Sequence, residues 1–163
     1  MRTLLALALI SATLWTGVFA ADATVTNGGK PAVLLTLPTG WTAAASEAKV
    51  SIQTEKKHPH IQVWATAAAD VATAEKQVAT LVVSEVTGFT ATTTTDLQIG
   101  GAPARQLIGT GLEADDSDPS NAEVTLFAIG KVVYVAIAHG EGDGAAKRHA
   151  EFNAVLATAK PVP

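Results

Sequence analysis

The chain has 163 residues, of which 48% are apolar and 16% charged, below the ~25% usual for soluble domains, which excludes a disordered acidic or basic tail. It contains no cysteine, and this excludes disulfides, thiolate zinc sites, a cysteine nucleophile and lipid attachment through an N-terminal Cys. A formal charge of −4 argues against nucleic acid, because phosphate backbones are held by clustered Lys and Arg.

Residues 1–20 read as a secretory signal peptide. Met1 and Arg2 supply a positive start, Leu4 to Phe19 is uncharged and apolar, and Val18-Phe19-Ala20 ends in small or modest side chains, which predicts cleavage after Ala20. The apolar run is shorter than the ~20 residues a membrane span needs, and Ser11, Thr13, Thr16 and Gly17 interrupt it. Residues 21–31, polar and containing Asn27-Gly28-Gly29, read as a flexible leader. Residues 32–163 are expected to form one domain. Splitting so short a chain would leave each half too thin a core, and only Trp41, Trp64, Phe89, Phe127, Tyr134 and Phe152 supply aromatic bulk.

Val33-Leu34-Leu35 predicts a short strand ended by Pro38, with Gly40 permitting a turn before Trp41. Lys49 to Thr54 and His60 to Thr66 alternate apolar and polar residues, and the five residues between them suit a hairpin. From Asp70 to Thr87 the period changes. Val71, Ala74, Val78, Leu81, Val82 and Val86 recur at helical spacing, with Asp70 as N-cap and Gly88 as terminator. Thr90 to Ile99 is threonine-rich and extended, Gly100-Gly101 suits a primed turn, and Ala104 to Leu112 continues as a strand. After an acidic loop over 113–121, Val124 to Ile129 and Val132 to Ala138 form a hairpin about Gly130-Lys131. The unbroken apolar run of the second arm predicts a central strand covered on both faces. Asp143 is expected to cap a last helix that buries Phe152, Val155, Leu156 and Ala159.

The fold class expected is therefore α+β: an antiparallel β-sheet with two main helices packed on it. Leu37-Pro38-Thr39-Gly40-Trp41, then Gly101-x-Pro103-Ala104-x-x-Leu107-x-Gly109, then a hairpin and a terminal helix carrying Phe152 and Leu156-Ala157-Thr158, resemble in order and spacing the signatures of the PsbP-like superfamily. This resemblance, over roughly residues 33 to 160, implies an α/β/α sandwich of PsbP-like type and a role in binding proteins or supporting assemblies. The superfamily includes an extrinsic photosystem subunit, a Ran-binding import factor and DcrB-like bacterial envelope proteins. The chain lacks the lipobox cysteine of the last group.

Chemistry-bearing motifs are sparse. His58 and His60, two apart on an extended segment, share a face and could reach one metal, with His139, Glu55 or His149 as a further ligand if the fold brings one close. Lys56 and Lys57 beside them favour a solvated turn instead. Asp115, Asp116, Asp118 and Glu123 form an oxygen-rich loop, but Asn121 and Phe127 stand where an EF-hand needs Gly and Glu. Gly140 to Gly144 carries Glu141 and Asp143, which would repel a phosphate. Serines 46, 51, 84, 117 and 120 lack a nucleophile elbow, and spacing gives no reason to pair His139 with His149. Trp41 and Trp64 fit core positions better than a ligand groove.

The reading is an exported, non-catalytic domain, periplasmic or secreted. It is expected to bind or stabilise another envelope protein or assembly, with no catalytic residues, no cofactor, no nucleic acid and no membrane insertion after signal cleavage. Two alternatives stand beside it: a metal-binding module using the His58/His60 pair, and a hydrolase whose site is unrecognised, built on His139 or His149 with a carboxylate within reach.

Overall fold

A computed structural model describes residues 19–46, 48–54, 60–140 and 145–163. The expected signal peptide therefore lies, up to residue 18, outside the described residues, as do His58, Glu55 and Asp143.

The elements in chain order are β1 (Phe19–Asn27), β2 (Lys30–Pro38), β3 (Trp41–Ala45), β4 (Val50–Thr54), β5 (His60–Ala65), α1 (Val71–Lys76), α2 (Val78–Leu81), β6 (Val86–Ile99), β7 (Ala102–Glu113), β8 (Pro119–Ile129), β9 (Val132–Gly140), α3 (Ala145–Leu156) and β10 (Lys160–Pro161). They build a three-stranded sheet, β1-β2-β10, and a seven-stranded sheet, β3-β4-β5-β9-β8-β7-β6. All pairings are antiparallel, as the hairpin-linked order of strands requires.

The central position expected for Val132 to Ala138 holds. β9 lies between β5 and β8, and Val133 to Ala138 are buried on both faces. Tyr134, Ala136 and Ala138 face one cluster, closed by Val25, Val33, Leu35 and Leu37 of the small sheet and by Phe152, Val155 and Leu156 of α3. Val133, Val135 and Ile137 face a second cluster, closed by Ala74 of α1 and by Val82, Val86 and Phe89. The large sheet is thus the middle layer, and alternate residues of its strands feed opposite cores.

Two expectations need correction. Residues 21–31 are not a loose leader. Most of them form β1 and the turn after it, paired along β2 with Ala23 and Val25 buried. Asn27-Gly28-Gly29 is its hairpin turn, with φ of 58° and 74° at the glycines, and so it is the primed-turn signal of a strand pair. Ala21, Ala23 and Val25 alternate with Asp22, Thr24 and Thr26, a strand pattern hidden by small side chains. These buried residues follow Ala20 and would survive cleavage there.

The second correction concerns Asp70 to Thr87, which does not make one long helix. Asp70 caps α1 as expected, its Oδ1 accepting from the Thr73 N–H at 2.7 Å. The chain leaves helical geometry at Gln77 (φ −106°, ψ 5°) and again at Val82 (φ −102°, ψ 3°). Val78, Thr80, Val82, Val83, Val86 and Thr87 are β-branched and weak helix formers, so tertiary pairing wins from Val86 onward. Gly88, expected to end the helix, instead takes φ 66° inside β6. Only α3 among the three helices exceeds two turns, and the second expected main helix is replaced by the two short pieces.

β6 passes so close over β7 that two β7 positions admit only glycine. A Cβ on Gly109 would stand 2.1 Å from the Thr90 carbonyl oxygen and 2.8 Å from Ala91 Cα; one on Gly111 would stand 2.4 Å from a Val86 methyl. Both clashes sit where the β6–β7 register slips, between Thr87 and Thr90 and between Ala91 and Thr93. Gly109→Ala should lower stability by about 1–3 kcal/mol, the cost of forcing an extra methyl into a packed site, read as a lower urea midpoint.

Candidate functional site

One face of the large sheet carries a polar cluster where β5, β9 and the ends of β7 and β8 meet the segment after α2. His60 of β5 and His139 of β9 are register partners, their ring centroids 6.2 Å apart. Strand alternation puts Gln62 on the same face. Glu85, in the turn after α2, reaches down onto this surface with its side chain only 9% exposed. It accepts from Lys49 Nζ, from Gln62 Nε2 and from Ser84 Oγ, the last at 3.0 Å. Lys49 also lies 5.2 Å above the Trp64 ring, a cation–π contact that fixes its stem.

His139 is the pivot. Its side chain is 13% exposed, with Nε2 3.8 Å from Glu85 Oε2 and Nδ1 3.6 Å from Glu113 Oε1. Neither ring nitrogen makes a hydrogen bond among the described residues, so the imidazole is held by charge on both sides. Burial disfavours its protonated form, but Glu85 and Glu113 outweigh this and raise its pKa above the usual 6.5. Burial likewise opposes ionisation of Glu85, yet His139 and Lys49 hold its carboxyl down at about 2. Glu113 is steadied in turn by the Ser120 hydroxyl at 3.2 Å, whose oxygen accepts from the Gly140 N–H at 3.1 Å. Beside the cluster opens a cavity of about 240 Å³ lined by His60, Gln62, Ser84, Glu85, Ala114, Asp115 and His139.

A second polar cluster occupies the opposite face, under α3. Gln106 Nε2 donates to Glu123 Oε1 and to Asn153 Oδ1, each at 2.7 Å. Asn153 Nδ2 lies 3.1 Å from His149 Nε2, and His149 Nδ1 lies 2.9 Å from Glu123 Oε2. Burial pushes the Glu123 carboxyl pKa up, against the pull of His149. Among the described residues no hydroxyl hydrogen-bonds either imidazole, so each histidine has a carboxylate but no hydroxyl nucleophile in line.

The structure thus separates residues that lie near one another in sequence. Glu123, grouped with the acidic loop by spacing, points through the sheet to the other side. Glu113, Asp115 and Asp116 stay together, their carboxylates within 4.8 Å of one another. His60 meets His139, while His149 stands on the far face. Trp41 is buried in the core, and Trp64 is half-buried under Lys49. Sequence reasoning missed Glu85, Gln62, Gln106, Glu113 and Lys49. The one available signal was Glu85, an acidic residue inside the apolar stripe from Val82 to Val86.

No family model and no curated protein matches the sequence. Solved structures do. The solution structure of cyanobacterial PsbP (CyanoP) from Synechocystis sp. PCC 6803 aligns over 94% of this chain and 99% of its own, with a TM-score of 0.62 at 9% identity. The fold is PsbP-like. LpqN of Mycobacterium tuberculosis, described as involved in cell envelope biogenesis, shares the PsbP-like architecture over 88% of this chain and 91% of its own, with a TM-score of 0.53 at 18% identity. A Pseudomonas aeruginosa protein of unknown function aligns over 80% and 92%, with 0.51 at 13%. The order of motifs from Leu37 to Thr158 therefore tracked a real architecture.

The charge cluster makes stability depend on pH in two directions. Glu85, lowered from 4.5 to about 2, contributes stability that is present above 4.5 and lost as pH falls toward 2. His139, raised above 6.5, contributes stability that is present below 6.5 and lost as pH rises through its folded value. Glu123, raised, works against Glu85 on the acid side. In urea melts across pH, Glu85→Gln should flatten the acid limb relative to wild type, and His139→Gln the limb above 6.5.

Proposed function

We propose that this chain is an exported, non-catalytic domain that binds or stabilises another protein of the cell envelope. The observation that carries the reading is how the ionisable groups are used. Glu85 is saturated by Lys49, Gln62 and Ser84, and His139 is clamped between two carboxylates. A carboxylate beside a histidine can orient a base, but among the described residues no hydroxyl hydrogen-bonds either imidazole, so no nucleophile–base pair is assembled. The likeness to LpqN, a protein described as involved in cell envelope biogenesis, supports the compartment by analogy of fold. The N-terminal segment adds its own support, and no helix among the described residues is long and apolar enough to cross a membrane.

Export and contact are tested together. The expressed chain should be recovered outside the cytoplasm with Ala21 as its first residue. Photo-crosslinking residues placed around its surface should capture one discrete neighbour in intact cells. A cytoplasmic, uncleaved product, or the absence of any adduct from every position, would refute the proposal.

A metal-handling reading has one observation in its favour: His60 and His139, with Asp115, line the same cavity. Calorimetry with Zn²⁺ should give heat that His60→Ala abolishes if this cavity holds a cation; a flat titration of the wild type removes the reading.

A further inference from the structure

β6 ends the large sheet, with β7 on one side and no strand on the other among the described residues. It runs for fourteen residues, and all seven from Thr90 to Asp96 are exposed, on both faces of the ribbon. Among the described residues neither the small sheet nor a helix covers this stretch. Its outward row of N–H and C=O groups is left to solvent.

Edge strands are normally protected by brevity, proline or charge. The opposite edge, β3, has five residues, and β10, an edge of the small sheet, is two residues long and holds Pro161. β6 is neither short nor broken by proline, and the register slips that also blunt an edge end before Thr93. From Val86 to Thr95 it carries no charge and no proline. Asp96, the first charge, stands at the far end of that stretch and pairs with Arg105 at 2.5 Å. The register slips are confined to the first half, and from Thr93 to Ile99 every residue pairs with β7 in unbroken register. That half presents a straight outer edge of the kind an added strand needs.

We propose that the outer edge of β6, centred on Thr90 to Asp96, receives an extended, proline-free segment of the partner protein as an eighth strand of the sheet. The inference rests on the partner-binding reading above and names its surface. Unpaired backbone groups select an extended backbone, and exposed threonines on both faces favour β-branched side chains opposite them. Charge sets the direction. Val86 pairs with Glu113, and the Ala114 N–H donates to the Glu85 carbonyl at 3.0 Å, so the exposed Asp115 and Asp116 that follow lie at the starting end of β6, while the Glu113 carboxylate is taken up by Ser120 and His139. A segment running antiparallel to β6 brings its C-terminal flank to that end, where lysine or arginine is favoured. A second copy of this chain fits less well. Seven edge residues fall far short of the ~20–30 a side that hold two folded proteins together, whereas short extended peptides bind sheet edges in this way.

The test uses the mature chain and a nonapeptide of alternating threonine and valine closed by two C-terminal lysines. Amide resonances of Thr90 to Asp96 should shift on titration. N-methylation of a single central peptide residue should weaken binding up to about tenfold in one parity and leave it unchanged in the other, since the methyl removes one backbone donor. Thr92→Lys and Thr94→Lys, which keep the strand and add gatekeeper charge, should weaken binding too. Absence of shifts at saturating peptide, shifts confined to another surface, or equal binding of both methylated peptides would overturn the proposal. So would a dimer that Thr94→Lys dissociates, which would assign the edge to self-pairing. In cells, photo-crosslinkers at Thr92 and Thr94 should give the adduct, with Thr42 and Ala44 on β3 as controls. An adduct from β3 alone sinks the edge while leaving the partner-binding reading intact; none from any site sinks both.

Discussion

The structure depends on β9 being buried on both faces. Val133 to Ala138 present apolar side chains to each side of the large sheet, and full burial of one such Val or Ile is worth about 1.5–3 kcal/mol. A strand of this kind is stable only when each face has its own cover. The small sheet with α3 supplies one cover and the α1–α2 segment the other, so elements from both ends of the chain converge on one central ribbon. The C-terminal tail is tied into this arrangement: Thr158 accepts from the Thr36 N–H at 2.8 Å, and the Val162 N–H donates to the Ala32 carbonyl at 3.1 Å.

The same two-sided layout separates the polar groups. Alternation along β7, β8 and β9 sends Gln106 and Glu123 toward α3 and His139 toward the segment after α2. Each buried acid then meets a different set of partners. Glu85, met by Lys49, Gln62, Ser84 and His139, is held ionised; Glu123, met by His149 and Gln106, is not compensated for its burial, and its carboxyl rises. Opposite shifts in two glutamates follow from which face of one sheet each occupies. Both clusters are internally paired, and among the described residues β6 is the longest of the edge strands.

Much of this was legible beforehand. The hairpins about Gly100-Gly101 and Gly130-Lys131, the Asp70 cap, the terminal helix and the central strand all follow from local rules: positive φ at glycine, a carboxylate over free N–H groups, and periodicity. The motif ending in Gly109 was legible as a pattern, but its cause was not, because the Thr90 carbonyl that excludes a side chain there is nineteen residues away. β1 was misread because alanine alternation is faint, and its turn glycines look like those of a linker. The Asp70–Thr87 stripe was read correctly as a buried face and wrongly as one rod.

By itself the sequence determined a sheet-rich antiparallel class, the hairpins from β6 to β9 and the absence of disulfide or thiolate chemistry, because each of these is encoded in residues close along the chain or in composition; the PsbP-like architecture was implied only by a resemblance in the order of its motifs. Only the tertiary structure decided which polar residues meet. Lys49, Gln62, Glu85, Glu113 and His139 come from five separate segments, and no spacing relates them. Strand register and the side of the sheet each residue faces bring them together, and these are set by the packing of the whole molecule.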